Sequence, residues 1–246
     1  MSETLIKLRL FVDYDLVDGS AVLATDVQHN YLRNVMRCSV GDRVALFNGR
    51  DGEWRAVVSQ LTKSRCLLTV EHHQRPQRLP PDIWLLFAAV KAAAMNNIAR
   101  MATELGVARL CPMFTEHTSV TRANTVRIRA NAIEAAEQTG RLNVPVVDDA
   151  QKLGDVMKKW DPVRNIILCA EKGPAKSFAE VLASNFYPGP CAVLIGPEGG
   201  FSHIELDALV KLPFVTPARL GPRIMRADTA AIAALACWQN YFGDWT

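Results

Sequence analysis

The sequence predicts an α/β domain built on a mostly parallel sheet, preceded by a small β-barrel domain. Three observations carry this. Residues 1–75 are rich in short apolar runs separated by glycine and aspartate, the pattern of hairpins and small barrels. Residues 74–82, QRPQRLPPD, hold three prolines and little apolar content, which marks a boundary. Beyond it, uninterrupted apolar runs alternate with helical periodicity, as in parallel sheets covered by helices on both faces. The division is therefore a first domain over 1–75, a linker over 76–82 and a second domain over 83–246.

In the first domain, strands are expected at 21–23, 44–47, 54–58 and 66–70, punctuated by Asp18-Gly19, Gly41-Asp42, Gly49 and Asp51-Gly52. One short helix over 27–37 interrupts them. In the second domain, 83–90 (IWLLFAAV) reads as a buried strand. The following helix, 92–105, places Met95, Ile98, Ala102 and Leu105 on one stripe, and Gly106 closes it. Further strands are expected at 107–111, 165–170, 191–195 and 212–216, and further helices at 123–139, 176–184, 204–210 and 225–242.

Hydrophobic residues make up 49% of the chain, enough to fill a core, and 22% charged residues argue against global disorder. A net charge of +3 permits an RNA partner without demanding one. Residues 1–75 carry ten Lys and Arg against nine Asp and Glu, so any basic surface there is local. The six cysteines lack metal-ligand spacing and read as buried free thiols. The five histidines form no HExxH, and GxSxG is absent, so neither a catalytic metal nor acyl transfer is expected. With no secretory signal at the start and no apolar stretch long enough for a bilayer, a cytoplasmic protein without a membrane partner is expected.

Four segments carry candidate chemistry. In LIGPEGGFS (194–202) an apolar strand runs into a glycine-rich turn, where open α/β sheets place their ligands. Ser202 and Glu205 have capping-box spacing. The turn is neither Walker A nor a dinucleotide fingerprint, and a tight turn without ligand is the plain alternative. LGPRIMRADTA (220–230) sets Arg223, Arg226 and Asp228 beside an almost uncharged helix. Paired arginines suit an anionic or oxygen-rich substrate, while Asp228 or Thr229 acting only as a helix cap is the alternative. EAAEQTGR (134–141) places Gln138 and Arg141 at a helix end, where ordinary surface polarity is the simpler reading. HNYLRNVMR (29–37) puts Arg33 and Arg37 four apart on one helix face, against the alternative of a mixed charged surface.

Together LIGPEGGFSHIE (194–205), LGPRIMRADTAAIAAL (220–235), EAAEQTGRLNVPVV (134–147), ATELGVARLCP (102–112) and HNYLRNVMR (29–37) resemble the small-subunit ribosomal RNA uridine N3-methyltransferases of the SPOUT superfamily. The resemblance runs along essentially the whole chain. It implies a deep trefoil knot in the second domain, a PUA-like first domain that helps bind RNA, a homodimer, and S-adenosylmethionine (SAM) as cofactor. The implied substrate is a uridine in 16S (small-subunit) ribosomal RNA, within the assembled 30S subunit. By the same resemblance Leu194, Gly196, Glu198, Gly199 and Gly200 form one cofactor loop. Leu220, Gly221, Ile224, Met225 and Arg226 form the second. Arg9, Arg33, Arg37, Lys91, Glu134, Gln138 and Arg141 are RNA-binding positions.

Two departures stand out. The usual Arg-Thr-Glu-Thr-Ala becomes Arg226-Ala227-Asp228-Thr229-Ala230, shortening a carboxylate. The normally charged segment after Lys91 carries Ala94, Asn96 and Met101. In the implied mechanism Arg223 or Arg226 stabilises negative charge spreading onto uracil O2 and O4, and Asp228 orients an arginine or takes the N3 proton. The competing readings are base or ribose 2′-O methylation of another structured RNA, and a non-catalytic RNA-binding protein of ribosome assembly.

Overall fold

The computed structural model describes residues 6, 8–171, 175–184 and 189–245. These divide into two units, one of residues up to Leu79 with Ala136–Val144, the other of Pro80–Ala135 with Pro145 onward.

The first unit is a five-stranded sheet in the order β1(Arg9–Phe11), β3(Arg43–Phe47), β4(Glu53–Leu61), β5(Cys66–Arg75), β2(Ala21–Leu23). Only β1 and β3 pair in parallel. Alternate apolar residues of these strands, among them Leu10, Val22, Val44, Leu46, Ala56, Val58, Leu68 and Val70, point into one core. Register shifts along β4 against β5 mark bulges that bend the sheet. The expected helix over 27–37 takes a different form. Helix α1 covers only Asp26–Asn30, opened by a capping box of Thr25 and Gln28. The next turn, Tyr31–Val35, widens to i→i+5 bonding, with Met36 N donating to Tyr31 O at 2.9 Å. Arg37 then enters the left-handed region (φ 54°), and Cys38 N closes back on Leu32 O. Leu32 is thereby driven fully into the core. Arg33 and Arg37 do not share a helix face, because the chain leaves the helix between them.

The β3–β4 turn is built on buried polar groups. Asn48 Nδ2 donates to Tyr14 O and Asp51 Oδ2, and Asn48 Oδ1 accepts from the backbone N–H groups of Arg50 and Asp51. Asp51 Oδ2 also accepts from Leu16 N. That bond and the one from Asn48 hold the Asp51 carboxyl below the usual aspartate range. At the turn's end Gly52 sits at φ 80°, and a Cβ there would run into the carbonyl oxygen of Arg75. Gly52→Ala is accordingly expected to cost about 2–4 kcal/mol through backbone strain and displacement of β5. A urea unfolding midpoint equal to wild type would show that the turn relaxes instead.

The second unit is a parallel sheet in the order β11(Lys176–Ser177), β13(Val215–Arg219), β10(Asn165–Cys169), β12(Cys191–Ile195), β6(Ile83–Ala88), β7(Arg109–Phe114), β8(Val146–Val147), with β9(Gln151–Lys152) also on β7. Every pairing is parallel. Helices cover both faces, so the central strands are apolar throughout. On β12, Ala192 and Leu194 enter a core with Leu153, Val156 and Met157 of α4(Leu153–Lys158) and Leu206 and Leu209 of α6(His203–Val210). The other face carries α7(Ala227–Phe242), which packs on α2(Ala92–Glu104), α5(Phe178–Ala183), β12 and β6. Helix α2 buries Met95, Ile98, Ala99, Ala102 and Thr103. Buried Gln239 of α7 is satisfied by Leu105 O and Asp244 N. Helix α3(Thr125–Thr139) starts in this unit and ends in the first.

The thiols vary more than expected. Cys66, Cys111 and Cys191 are buried, Cys38 and Cys169 are half-buried, and Cys237 is exposed on the outer face of α7. Burial pushes the Cys191 thiol up to about 12. No helix among the described residues is long and apolar enough to cross a membrane.

Candidate active site

Strands β7, β10, β12 and β13 deliver their carboxyl ends to the same side of the parallel sheet, where such sheets hold ligands. Strand β10 lies between β12 and β13. The turns leaving those outer strands therefore flank its end, and they enclose a cavity of about 240 Å³. Its lining comes from Gly196, Pro197, Gly199, Gly200 and Phe201 after β12, and from the whole run 220–225 after β13.

The glycine turn is closed by Gly200 N donating to Pro197 O at 2.9 Å, with Gly200 at φ 71°. A Cβ on Gly196 would stand 2.9 Å from the Phe201 ring, so only glycine lets that ring fold over the turn. Ser202 starts α6 in the expected capping box. Its Oγ accepts from Glu205 N, while Glu205 Oε2 accepts from Ser202 N. The other oxygen, Oε1, accepts from Glu116 N at 2.8 Å and so fastens the turn after β7 to the same helix end.

A second cavity, of about 380 Å³, is lined by Lys91, Ala93, Ala94 and Asn97 at the start of α2, by Glu198 of the glycine turn, and by Arg226, Ala227 and Asp228 at the start of α7. Ala227 lines both cavities, so the two adjoin.

Of the expected cofactor positions, Gly196, Gly199, Gly200, Leu220, Gly221, Ile224 and Met225 line the first cavity. Glu198 and Arg226 line the second. Leu194 lines neither, because its side chain is fully buried in the core under α4 and α6. Arg223 lines the first cavity, whereas Asp228 and Lys91 line the second. Among the described residues no ion pair involves Arg223, Arg226 or Asp228. Asp228 instead accepts from Thr229 N through Oδ1 (2.9 Å) and from Asn97 Nδ2 through Oδ2 (3.4 Å).

Arg9, expected as an RNA contact, is engaged largely inside the first unit. Its side chain is only 10% exposed, and its Nε donates to Glu53 Oε2 at 2.6 Å. Nη1 reaches the carbonyl oxygens of Ala136 and Glu137, and Nη2 that of Arg141. The guanidinium also stacks on Phe47 at 4.5 Å. Four of its five N–H groups are thus engaged within the first unit. Arg33 is half-buried and donates to Lys63 O, while Arg37 is exposed. Glu134 and Gln138 are exposed on α3, and Arg141 donates to Asn143 Oδ1. None of them lines either cavity.

Sequence reasoning missed His117, Cys169 and Glu171, which line the first cavity from the ends of β7 and β10, and Asn97, which lines the second. His117 Nδ1 lies 3.3 and 3.2 Å from the carbonyl oxygens of Gly199 and Gly200. Applying the carboxyl-end rule to every strand, not only to the one before glycines, would have found the first three. Among the described residues no group of His, Cys, Asp and Glu is arranged to hold a metal.

Comparison with known proteins bears on both units. The RNA methyltransferase domain matches residues 77–239, and the RNA methyltransferase PUA domain matches residues 25–71. A curated relative, ribosomal RNA small subunit methyltransferase E of Rickettsia conorii, is 30% identical over 230 residues, covering 93% of each chain. A Legionella pneumophila methyltransferase solved with bound SAM superposes with a TM-score of 0.87 at 27% identity, covering 96% of this chain and 98% of that one. The Neisseria gonorrhoeae ribosomal RNA small subunit methyltransferase E, bound to S-adenosyl methionine, gives 0.86 at 25% identity over 97% and 99% of the two chains. By the span of the domain match and the likeness of these relatives along its length, the chain belongs to the RNA methyltransferase domain family.

Proposed function

We propose that the protein transfers a methyl group from SAM to N3 of a uridine in 16S ribosomal RNA, acting on the assembled 30S subunit in the cytoplasm. The observation that carries this reading is the adjoining pair of cavities, one walled by glycine turns and apolar side chains, the other by charged and amide groups. The relatives' names and their bound cofactor point the same way.

The first cavity fits SAM. Glycines at Gly196 and Gly200 keep its wall at backbone level, so a ligand meets N–H and C=O groups directly. Ile195, Leu206, Leu220 and Met225 offer apolar surface to an adenine ring. Glu171, Arg219 and Arg223 offer charges of both signs to the amino-acid end. Bound there, SAM supplies a methyl group on a cationic sulfur, which becomes a neutral thioether once an acceptor takes the methyl. His117 holds the glycine turn through the Gly199 and Gly200 carbonyls. His117→Ala is therefore expected to weaken SAM binding about five- to tenfold, the equivalent of one lost hydrogen bond. Calorimetry checks this, and an unchanged Kd would remove His117 from the cofactor wall.

In the second cavity the Arg226 guanidinium stabilises negative charge on the uracil carbonyl oxygens as N3 gives up its proton. Asp228, engaged by Asn97 rather than by an arginine, accepts the N3–H hydrogen bond, and the proton leaves along it to water. In this reading the enzyme is a homodimer with a knotted C-terminal segment, and the first unit, which matches the RNA methyltransferase PUA domain, contacts the RNA. Within that unit exposed Arg37 is the RNA contact of this reading, with Arg33 beside it. The test is to methylate purified 30S subunits that lack the modification and map the product by mass and position. Methyl on a ribose oxygen, or on a base other than uracil, would sink the assignment.

A further inference from the structure

We propose that the second cavity seats the target base itself, and that Asn97 is the positioning residue that makes it a uracil pocket. This rests on the methyltransferase reading above and extends it to the acceptor side. The cavity's shared wall at Ala227 sets any occupant against the neighbouring glycine-walled cavity.

The lining chemistry selects the occupant. Two carboxylates, Asp228 and Glu198, face the same space as Lys91 and Arg226. The two charges of each sign cancel, so the pocket holds no net attraction for a phosphate. A nucleobase edge is neutral and alternates donors with acceptors. Uracil presents acceptor, donor, acceptor: O2, N3–H and O4. Against it the pocket sets a carboxylate for N3–H and cationic or amide N–H donors for the two oxygens. Cytosine would bring its N3 lone pair against Asp228. Guanine would offer an amino group where a second carbonyl is wanted.

For this to discriminate, the Asp228 carboxylate has to stay in one orientation. The backbone N–H of Thr229 holds one of its oxygens at 2.9 Å, and Asn97 Nδ2 holds the other at 3.4 Å. Asn97 is the only side chain among the described residues with a hydrogen bond to Asp228. It stands on an exposed position of α2 and takes no part in the buried stripe. Packing therefore does not account for an amide there, and alanine would form the helix better.

The test compares wild type, Asn97→Ala and Asn97→Asp in single-turnover methylation of unmodified 30S subunits, with SAM affinity by calorimetry and Tm alongside. Asn97→Ala is expected to keep its Tm and its SAM Kd while the rate constant falls about tenfold, the worth of a hydrogen bond to a charged group. Asn97→Asp, which sets a like charge against Asp228, is expected to lose more. A wild-type rate in Asn97→Ala overturns the proposal, as does a loss confined to Tm or to SAM affinity. Absence of methyl transfer by the wild-type protein would instead bring down the underlying reading, and this inference with it.

Discussion

Arg226→Ala is expected to slow single-turnover methyl transfer by about 10²-fold or more, the loss seen when one donor to a developing negative charge is removed. The affinity for SAM is expected to stay close to wild type, because Arg226 lines the second cavity and not the first. Leu220, Met225 and the glycine turn remain in place in this variant. A rate constant equal to wild type would take Arg226 out of the chemistry. An equal loss in rate and in SAM affinity would place its role at the cofactor instead.

The second large effect concerns the first unit. Glu53 is a buried carboxylate held by two arginines: Arg9 through Oε2, and Arg75 through Oε1 (2.9 Å) and Oε2 (2.7 Å). Arg75 also donates to Gly140 O, and Arg9 to three carbonyls of the returning segment Ala136–Val144. Removing the shared carboxylate strands Arg9, whose side chain is only 10% exposed. Glu53→Gln is therefore expected to cost about 3–5 kcal/mol, the loss typical of breaking a buried pair on one side. Urea unfolding checks it, and a cost within error of zero would mean that water solvates Arg9 in the variant.

The pH dependence follows from the same group. Burial alone would push the Glu53 carboxyl up, but the hydrogen bonds from Arg75 and Arg9 outweigh it and hold it below the ordinary value. A carboxylate depressed on folding contributes stability above its unfolded pKa of about 4.3, and that contribution fades as pH falls through the lower folded value. The stability gap between wild type and Glu53→Gln is accordingly expected to be constant above about pH 5 and to shrink on acidification below about pH 4.

The sequence made the second unit largely legible. Uninterrupted apolar strands, helical stripes and the capping spacing of Ser202 and Glu205 are local signals, and α2 and β12 lie where periodicity puts them. What escaped depended on long-range partners. The short β1, β8, β9 and β11 exist only because a neighbouring strand pairs with them. Arg9 looked like a free cation because its partners at Glu53 and on 136–141 are far away in sequence. The widened turn after α1 undid the spacing argument for Arg33 and Arg37. Within the site, glycines announced one wall, whereas His117, Glu171 and Asn97 have nothing unusual in their local sequence.

The strand order has a consequence for how the protein comes into being. Ile83 pairs with Cys191, and β10 must be flanked by β12 and by the later β13. The contacts that create both cavities thus join segments far apart in the chain. Such distant pairings form slowly, because a long loop must close before any contact rewards it. A chain lacking α7 has one wall of each cavity missing, so ligand binding waits until that helix has been made and packed.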